Sequence, residues 1–220
     1  MKLFLDTANL DEIRQAKAWG VLAGCTTNPS LLAREHTDYE LQMKEVCNEV
    51  PGPVSLETTE TEAEAMFEQG MKLAAVAENA VVKVPMTPDG LACGKRLVGE
   101  GVPVNVTLVF SPAQALLAAE IGATYCSPFL GRLDDVAMDG LGILSEICEI
   151  YSVQGYDTLV LAASLRHPVH VVEAAKMGAD VATMPFDVFT KLVKHPLTDA
   201  GLAKFLDDWK KLQQELKEGA

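Results

Sequence analysis

The sequence predicts an α/β fold: a single (β/α)8 barrel of the TIM type over residues 1–220, with an additional helix after the eighth unit. Three observations predict it. Eight short apolar runs alternate with amphipathic stretches along the whole chain, the pattern of β-then-α units around a parallel sheet. Several runs are near-continuous in hydrophobic residues rather than alternating, as strands covered on both faces are. The length of 220 residues holds eight compact units with little room for insertions, although two domains also fit it. A doubly wound open sheet is the alternative, but no GxGxxG or Walker loop supports it. The units share spacing rather than sequence, so no solenoid repeat is present, and no low-complexity linker divides the chain.

In chain order the runs occupy residues 3–5, 24–27, 54–57, 81–85, 102–110, 124–129, 158–164 and 181–185. The stretches between them read as helices. Asn9 with Glu12, and Thr61 with Glu64, have capping-box spacing, in which each side chain satisfies the other's backbone N–H. Ser111-Pro112-Ala113-Gln114 is a stronger start, with a cap, a proline at the first helical position and glutamine at the third. The helical run 115–120 follows it. Gly70, Gly101, Gly122 and Gly178 are placed as helix stops or turns before the next strand. Beyond the eighth unit, residues 199–218 carry Leu202, Phe205, Leu206, Trp209, Leu212 and Leu216 at helical spacing. This stripe predicts a docking helix, on the chain's own barrel or on a neighbouring subunit.

The composition narrows the function. A net charge of −13 argues against a general nucleic-acid or anionic-membrane partner, since basic surfaces serve those roles. An anionic ligand must be drawn by a few local cations, which singles out Arg132 and Arg166. No apolar run reaches the ~20 residues that span a bilayer. Met1-Lys2-Leu3-Phe4-Leu5-Asp6 meets an acid too early for a secretory signal. Cys25, Cys47, Cys93, Cys126 and Cys148 are widely spaced and contain no CxxC pair, which points to reduced thiols in a cytoplasmic protein. Cys25 lies beside chemistry-bearing residues but reads as packing.

A βα barrel builds its site at the C-terminal ends of the strands. There the sequence places Asp6, Thr26, Asn28, Glu57, Lys83, Asn105, Thr107, Ser127, Arg132, Ser164 and Arg166. Lys83 is the most informative, as the lone positive charge in Val81-Val82-Lys83-Val84-Pro85. Burying a lysine is costly and favours the neutral amine, a nucleophile that forms Schiff bases with carbonyl substrates. The plain alternative is a lysine that guards a strand edge or snorkels to solvent. The others have plain readings too. Asp6 could cap a turn and Asn28 the helix at Pro29. Asn105 and Thr107 could face outward, and Ser127 and Ser164 could bond to backbone. Arg132 could pair with Asp134 or Asp135 on the surface, where such pairs contribute little. Their joint placement at strand ends favours one pocket. His167 and His170 have HxxH spacing, and His36 and His195 complete the histidines, but no set of three or four convergent zinc ligands emerges. No metal is therefore expected, and no Ser-His-Asp order suggests a triad.

The stretches Phe4-Leu5-Asp6-Thr7-Ala8-Asn9, Gly24-Cys25-Thr26-Thr27-Asn28-Pro29-Ser30, Val82-Lys83-Val84-Pro85-Met86-Thr87, Asn105-Val106-Thr107-Leu108-Val109-Phe110-Ser111, Ser127-Pro128-Phe129-Leu130-Gly131-Arg132 and Ala163-Ser164-Leu165-Arg166 together resemble the transaldolase family. The match is to its small-subunit form, together with the related fructose-6-phosphate aldolases, and it covers nearly the whole chain. The resemblance implies a class I Schiff-base enzyme without metal or cofactor. Lys83 would attack the C2 ketone of sedoheptulose 7-phosphate or fructose 6-phosphate. Glu57, a water and Thr107 would move protons, and Asp6 would take the C4 hydroxyl proton as C3–C4 breaks. The dihydroxyacetone unit would wait as an enamine for glyceraldehyde 3-phosphate or erythrose 4-phosphate, as in the pentose phosphate pathway. Asn28, Asn105 and Ser127 would hold its hydroxyls, Thr26 and Phe129 would complete its pocket, and Arg132, Ser164 and Arg166 would hold the phosphate.

The aldolase members typically carry glutamine and tyrosine where this chain has Glu57 and Phe129. An apolar ring gives no polar support to a water that would protonate the enamine. Transfer is therefore favoured, with an aldolase releasing free dihydroxyacetone as the alternative. A metal-dependent barrel lyase or isomerase, and a non-catalytic barrel binding sugar phosphates or a partner protein, are the competing classes. The resemblance also implies a ring-like homo-oligomer, a decamer among the candidates, with helix 199–218 on a neighbour. The loop 134–142 is left without a role.

Overall fold

The computed structural model describes residues 1–35 and 38–218. The chain divides into two units, Met1–Phe189 and Thr190–Ala220. In the first, the strands β1 (Lys2–Asp6), β2 (Leu22–Thr26), β3 (Val54–Glu57), β4 (Ala80–Pro85), β5 (Val104–Val109), β6 (Tyr125–Pro128), β7 (Leu159–Ala162) and β8 (Val181–Met184) are parallel. They close a barrel in chain order, with β8 paired back onto β1. Each predicted apolar run overlaps one strand, although β1, β2 and β4 begin one or two residues before their runs. The helices between them are α1 (Leu10–Ala18), α2 (Pro29–Arg34), α3 (Tyr39–Glu49), α4 (Ala63–Ala74), α5 (Pro88–Gly99), α6 (Pro112–Glu120), α7 (Leu130–Asp134), α8 (Gly140–Gln154) and α9 (Pro168–Lys176). A short α10 (Phe186–Lys191) follows β8, and the second unit carries α11 (Pro196–Glu218). This is the predicted (β/α)8 TIM barrel with a C-terminal helix, which begins three residues before the predicted 199. Leu202, Phe205, Leu206, Trp209, Leu212 and Leu216 are all exposed on α11.

The helix starts show which local signals decide. Asn9 caps α1, accepting from the Asp11 and Glu12 N–H groups at 3.0 and 3.1 Å. Glu12 does not return the bond. It accepts from the Thr7 hydroxyl, and the Asn9 N–H goes to Thr7 Oγ1 instead. The Thr61–Glu64 box does not form. Glu62 is the cap residue and makes no side-chain bond. The Ala63 N–H donates to Asp89 at 3.1 Å and Glu64 pairs with Arg96 at 2.7 Å, so partners on α5 supply what a local cap would have given. Ser111 caps α6 as predicted, while Gln114 reaches one residue further back to the Phe110 N–H at 2.8 Å. Gly101, Gly122 and Gly178 do turn the chain, with φ of +79°, +80° and +90°. Gly70 does not. It lies inside α4, where an added Cβ would stand 3.0 Å from Leu97 Cδ1, so it is small to let α4 and α5 approach.

The lower interior of the barrel is apolar. Phe4, Val81, Tyr125, Leu161 and Val181 pack there with less than a tenth of their surface exposed, and the Phe4 and Tyr125 rings meet edge to face at 6.3 Å. Gly24 faces Phe4 across β1 and β2, and any Cβ at Gly24 would overlap the Phe4 ring. Gly24→Ala is therefore expected to lower stability by about 1–3 kcal/mol through overpacking. The check is the urea-unfolding midpoint, and an unchanged midpoint would show that the ring yields freely.

Candidate active site

Strand side chains alternate between faces. The residues at inward positions beyond the apolar floor are polar: Asp6 and Thr26 stand side by side, as do Glu57 and Lys83, and Lys83 and Asn105. Lys83 is buried at 5% exposure. Its Nζ lies 2.9 Å from Glu57 Oε2 and donates to the Thr27 carbonyl at 3.2 Å. A closed barrel has no edge strand, so the edge-guarding and snorkelling readings of this lysine fail. A buried ion pair holds only while both partners remain, which ties the Glu57 carboxylate to the Lys83 amine.

Asp6 lines the cavity and is partly open to it, but protein surrounds the rest of the carboxyl. That burial pushes its pKa up from the ordinary value, against the Lys83 charge, the Thr26 hydroxyl and Arg132, which pull it down. Thr26 donates to Asp6 Oδ1 at 2.7 Å, and its hydroxyl lies 2.7 Å from that of Thr183 on β8. Asp6 is thus held in a side-chain network rather than capping a turn.

Asn105 and Thr107 do not face outward. Both are fully buried. Asn105 donates to Ser55 Oγ at 3.0 Å and accepts from Ser127 Oγ at 2.7 Å. The Thr107 hydroxyl has no hydrogen-bond partner, an arrangement with a free-energy cost that a bound molecule would remove. Asn28 caps α2 through the Leu31 N–H at 3.0 Å, so its plain reading holds alongside its place in the cavity wall.

A cavity of about 590 Å³ gathers these groups at the C-terminal ends of the strands. Asp6, Thr26, Asn28, Glu57, Lys83, Ser127, Phe129, Arg132, Ser164 and Arg166 line it, whereas Asn105 and Thr107 do not, Asn105 reaching it only through its bond to Ser127. Arg132 does not pair with Asp134 or Asp135 as its surface reading had it. Its guanidinium lies over the Phe129 ring at 4.8 Å, and Asp135 is taken by Arg166 at 2.6 Å. Two lining residues have left-handed backbone without being glycine: Leu108 at φ 60° and Ser164 at φ 58°. Such strain persists where surrounding structure fixes it, commonly at sites. A second cavity, also of about 590 Å³, lies between α3 and α4. None of its charged side chains is buried, so it offers no group set for chemistry.

Sequence reasoning missed Thr183 and Arg34, which also line the cavity. Thr183 was findable as the one polar residue of Val181-Ala182-Thr183-Met184, had the strand-end rule been carried to the eighth run. The HxxH residues serve the start of α9, where His167 caps and accepts from the His170 N–H at 3.3 Å. His195 accepts from the Leu197 N–H at 3.2 Å in the second unit, and His36 lies outside the described residues. Among the described residues no three His, Cys, Asp or Glu side chains group as metal ligands. Cys25 is fully buried against the Thr7 carbonyl, and burial pushes its thiol far up, consistent with packing. Among the described residues no helix is long and apolar enough to cross a membrane.

A family model described as Transaldolase/Fructose-6-phosphate aldolase matches residues 3–216. The chain is 55% identical over 211 residues to a "Probable transaldolase" of Desulfatibacillum aliphaticivorans, covering 96% of this chain and 99% of that one. It is 52% identical over 217 residues to a "Probable transaldolase" of Petrotoga mobilis, covering 99% and 98%. Among solved structures, thiamine phosphate pyrophosphorylase from Pyrococcus furiosus is similar with a TM-score of 0.58 at 17% identity, covering 87% of this chain and 93% of that one. At that identity the likeness concerns the barrel alone.

Proposed function

The chain belongs to the transaldolase/fructose-6-phosphate aldolase family, and from that premise we propose that it is a Schiff-base transaldolase. It moves a dihydroxyacetone unit from a ketose phosphate to an aldose phosphate, in the sugar interconversions of the pentose phosphate pathway. The observation that carries this is the buried Lys83, paired with Glu57 at 2.9 Å and facing the same cavity as Asp6.

Glu57 takes the ammonium proton, and the freed Lys83 amine attacks C2 of the ketose. A C–N bond forms as the carbonyl π bond opens onto oxygen, and that oxygen takes the proton the attacking nitrogen sheds. Water then leaves with a proton relayed from Glu57, and the lysine becomes an iminium. The unpartnered Thr107 hydroxyl supports a role in ordering that water. Asp6 removes the C4 hydroxyl proton, the C3–C4 pair flows into the iminium, and an aldose phosphate departs, leaving an enamine. The acceptor aldehyde reverses these steps, with Asp6 returning the proton. Burial favours the protonated form of Asp6, which suits a group that must both take and give a proton. Ser127 and Asn105 form a bonded pair that suits the hydroxyls of the three-carbon unit, and Asn28 and Thr26 line the same wall. Arg132, Ser164 and Arg166 present the cations for the phosphate. The exposed stripe of α11 supports docking on another subunit of a ring-like homo-oligomer.

The choice between transfer and release rests on Glu57 and Phe129. Phe129 lines the cavity, held edge-on by Phe110 at 5.9 Å, so an apolar ring faces the pocket and itself offers water no hydrogen bond. The test follows glyceraldehyde 3-phosphate released from fructose 6-phosphate with and without erythrose 4-phosphate. Release that depends on the acceptor is expected. Equal release without acceptor would make the protein an aldolase, and no release in either case would overturn the substrate assignment.

A further inference from the structure

The loop 134–142 was left without a role by the sequence, and the structure joins it to His170 of the HxxH pair. We propose that His170 is a positioning residue: its imidazole locks together the two loops that present Arg132 and Arg166 to the substrate phosphate. The inference rests on the reading of the cavity as a sugar-phosphate site.

The two loops already touch through backbone. The Leu130 N–H donates to the Ala163 carbonyl and the Gly131 N–H to the Ser164 carbonyl, both at 3.0 Å. Gly131 has no side chain, and an added Cβ would stand 2.6 Å from Arg166 Cγ. The Arg166 stem therefore lies directly over the start of α7. His170 completes the contact from behind. It is buried at 5% exposure, its Nδ1 accepts from the Arg166 N–H at 3.2 Å, and its Nε2 lies 3.1 Å from Asp134 Oδ2. The other Asp134 oxygen accepts from the Gly140 N–H at 3.1 Å, which fixes the loop onto α8. One buried ring thus spans from the backbone of the Arg166 loop to the carboxylate two residues beyond Arg132.

Only one protonation form fits. Neutral imidazole with hydrogen on Nε2 accepts from Arg166 and donates to Asp134. The charged form has no lone pair at Nδ1 and would set donor against donor at the Arg166 N–H. The groups facing the ring are Asp134, Arg166 and His167, whose ring lies 3.9 Å away. Burial, His167 and Arg166 hold the His170 pKa below the ordinary 6.5, and Asp134 opposes them without prevailing. The arrangement is intact at pH 6.5 and above and comes apart as pH falls through the lowered value. The Arg166 head group meanwhile rests on Asp135 at 2.6 Å. A phosphate must displace that carboxylate, and the His170 anchor keeps the Arg166 backbone in place while its head group changes partners.

The test uses the full chain with His170→Ala and His170→Asn. The readouts are the KM for fructose 6-phosphate, inhibition by inorganic phosphate, and borohydride trapping of dihydroxyacetone, which has no phosphate. His170→Ala is expected to raise the KM and the phosphate inhibition constant about tenfold, as loss of one positioning hydrogen bond implies, with trapping unchanged. In His170→Asn the amide oxygen takes the place of Nδ1, so most of the loss should be recovered. Below pH 6.5 wild-type phosphate affinity should fall more steeply than that of His170→Asn, whose profile shows only the titration of phosphate itself. If His170→Ala does not fold, His170→Asn and the pH comparison decide. Unchanged constants in His170→Ala, trapping that falls in step with phosphate affinity, or superimposable pH profiles would overturn the role. Wild-type protein that fails to trap dihydroxyacetone would instead overturn the reading of the site.

Discussion

Lys83→Met is expected to abolish turnover, by about 10³–10⁶-fold, while the barrel remains folded. The size of the loss follows from what the amine does. Without it no C–N bond forms, no iminium accepts the C3–C4 pair, and no neighbouring group substitutes as nucleophile. Methionine keeps the length and apolar stem of lysine, so it should fill the inward-facing position on β4 with little strain, while Val82 and Val84 on the opposite face are untouched. The remaining concern is Glu57, which loses its 2.9 Å partner. Breaking a fully buried pair destabilises by about 3–5 kcal/mol, but the Glu57 side chain is 18% exposed to the cavity and can be hydrated or protonated. A Lys83→Met, Glu57→Gln double variant removes that charge and should restore any lost stability without restoring activity. Borohydride with dihydroxyacetone should modify wild-type protein at Lys83 and leave Lys83→Met unmodified, with circular dichroism confirming the fold. Near-wild-type turnover in Lys83→Met would end the Schiff-base mechanism.

Lys83 was readable because a charge in a valine run breaks a strong local pattern. The strands were readable for the same reason, since each overlaps an apolar run that needs no partner to be recognised. What the sequence concealed depends on residues far apart in the chain. Thr61 has the spacing of a cap, but Asp89 and Arg96 on α5 decide how α4 begins. Gly70 looks like a helix stop, and only the closeness of Leu97 shows why it is small. Asn105 and Thr107 were placed at the right strand end, but their full burial and the bond to Ser55 belong to barrel closure. Asp134 and Asp135 stand beside Arg132 in the sequence, yet the fold gives Asp135 to Arg166 and a phenyl ring to Arg132. The left-handed backbone of Leu108 and Ser164 has no residue signature at all, because neither is glycine or asparagine.

Asp6→Asn should separate the two halves of the reaction. Carbon–carbon cleavage is expected to fall about 10²–10⁴-fold, as removal of a general base implies, while borohydride trapping of dihydroxyacetone at Lys83 persists. The amide oxygen still accepts from Thr26, as Asp6 Oδ1 does at 2.7 Å, so the loss reflects proton transfer rather than collapse of the wall. The pH dependence has a definite sign. Burial raises the Asp6 pKa above the ordinary 3.8, and the base form carries the reaction, so wild-type cleavage should decline as pH falls through that raised value. Stability runs the other way. A carboxyl with a raised folded pKa contributes stability that is fully present below 3.8 and lost as pH rises through the folded value. Burial therefore destabilises the ionised form of Asp6, and the attraction of Lys83 offsets only part of that. Asparagine resembles the protonated form, so the variant should melt at or above the wild-type temperature at pH 7.5, with the difference closing in acid. A gain in stability alongside a loss of cleavage is what a residue kept for chemistry predicts. A variant that melts lower and also cleaves poorly would make Asp6 a structural member of the Thr26–Thr183 network instead.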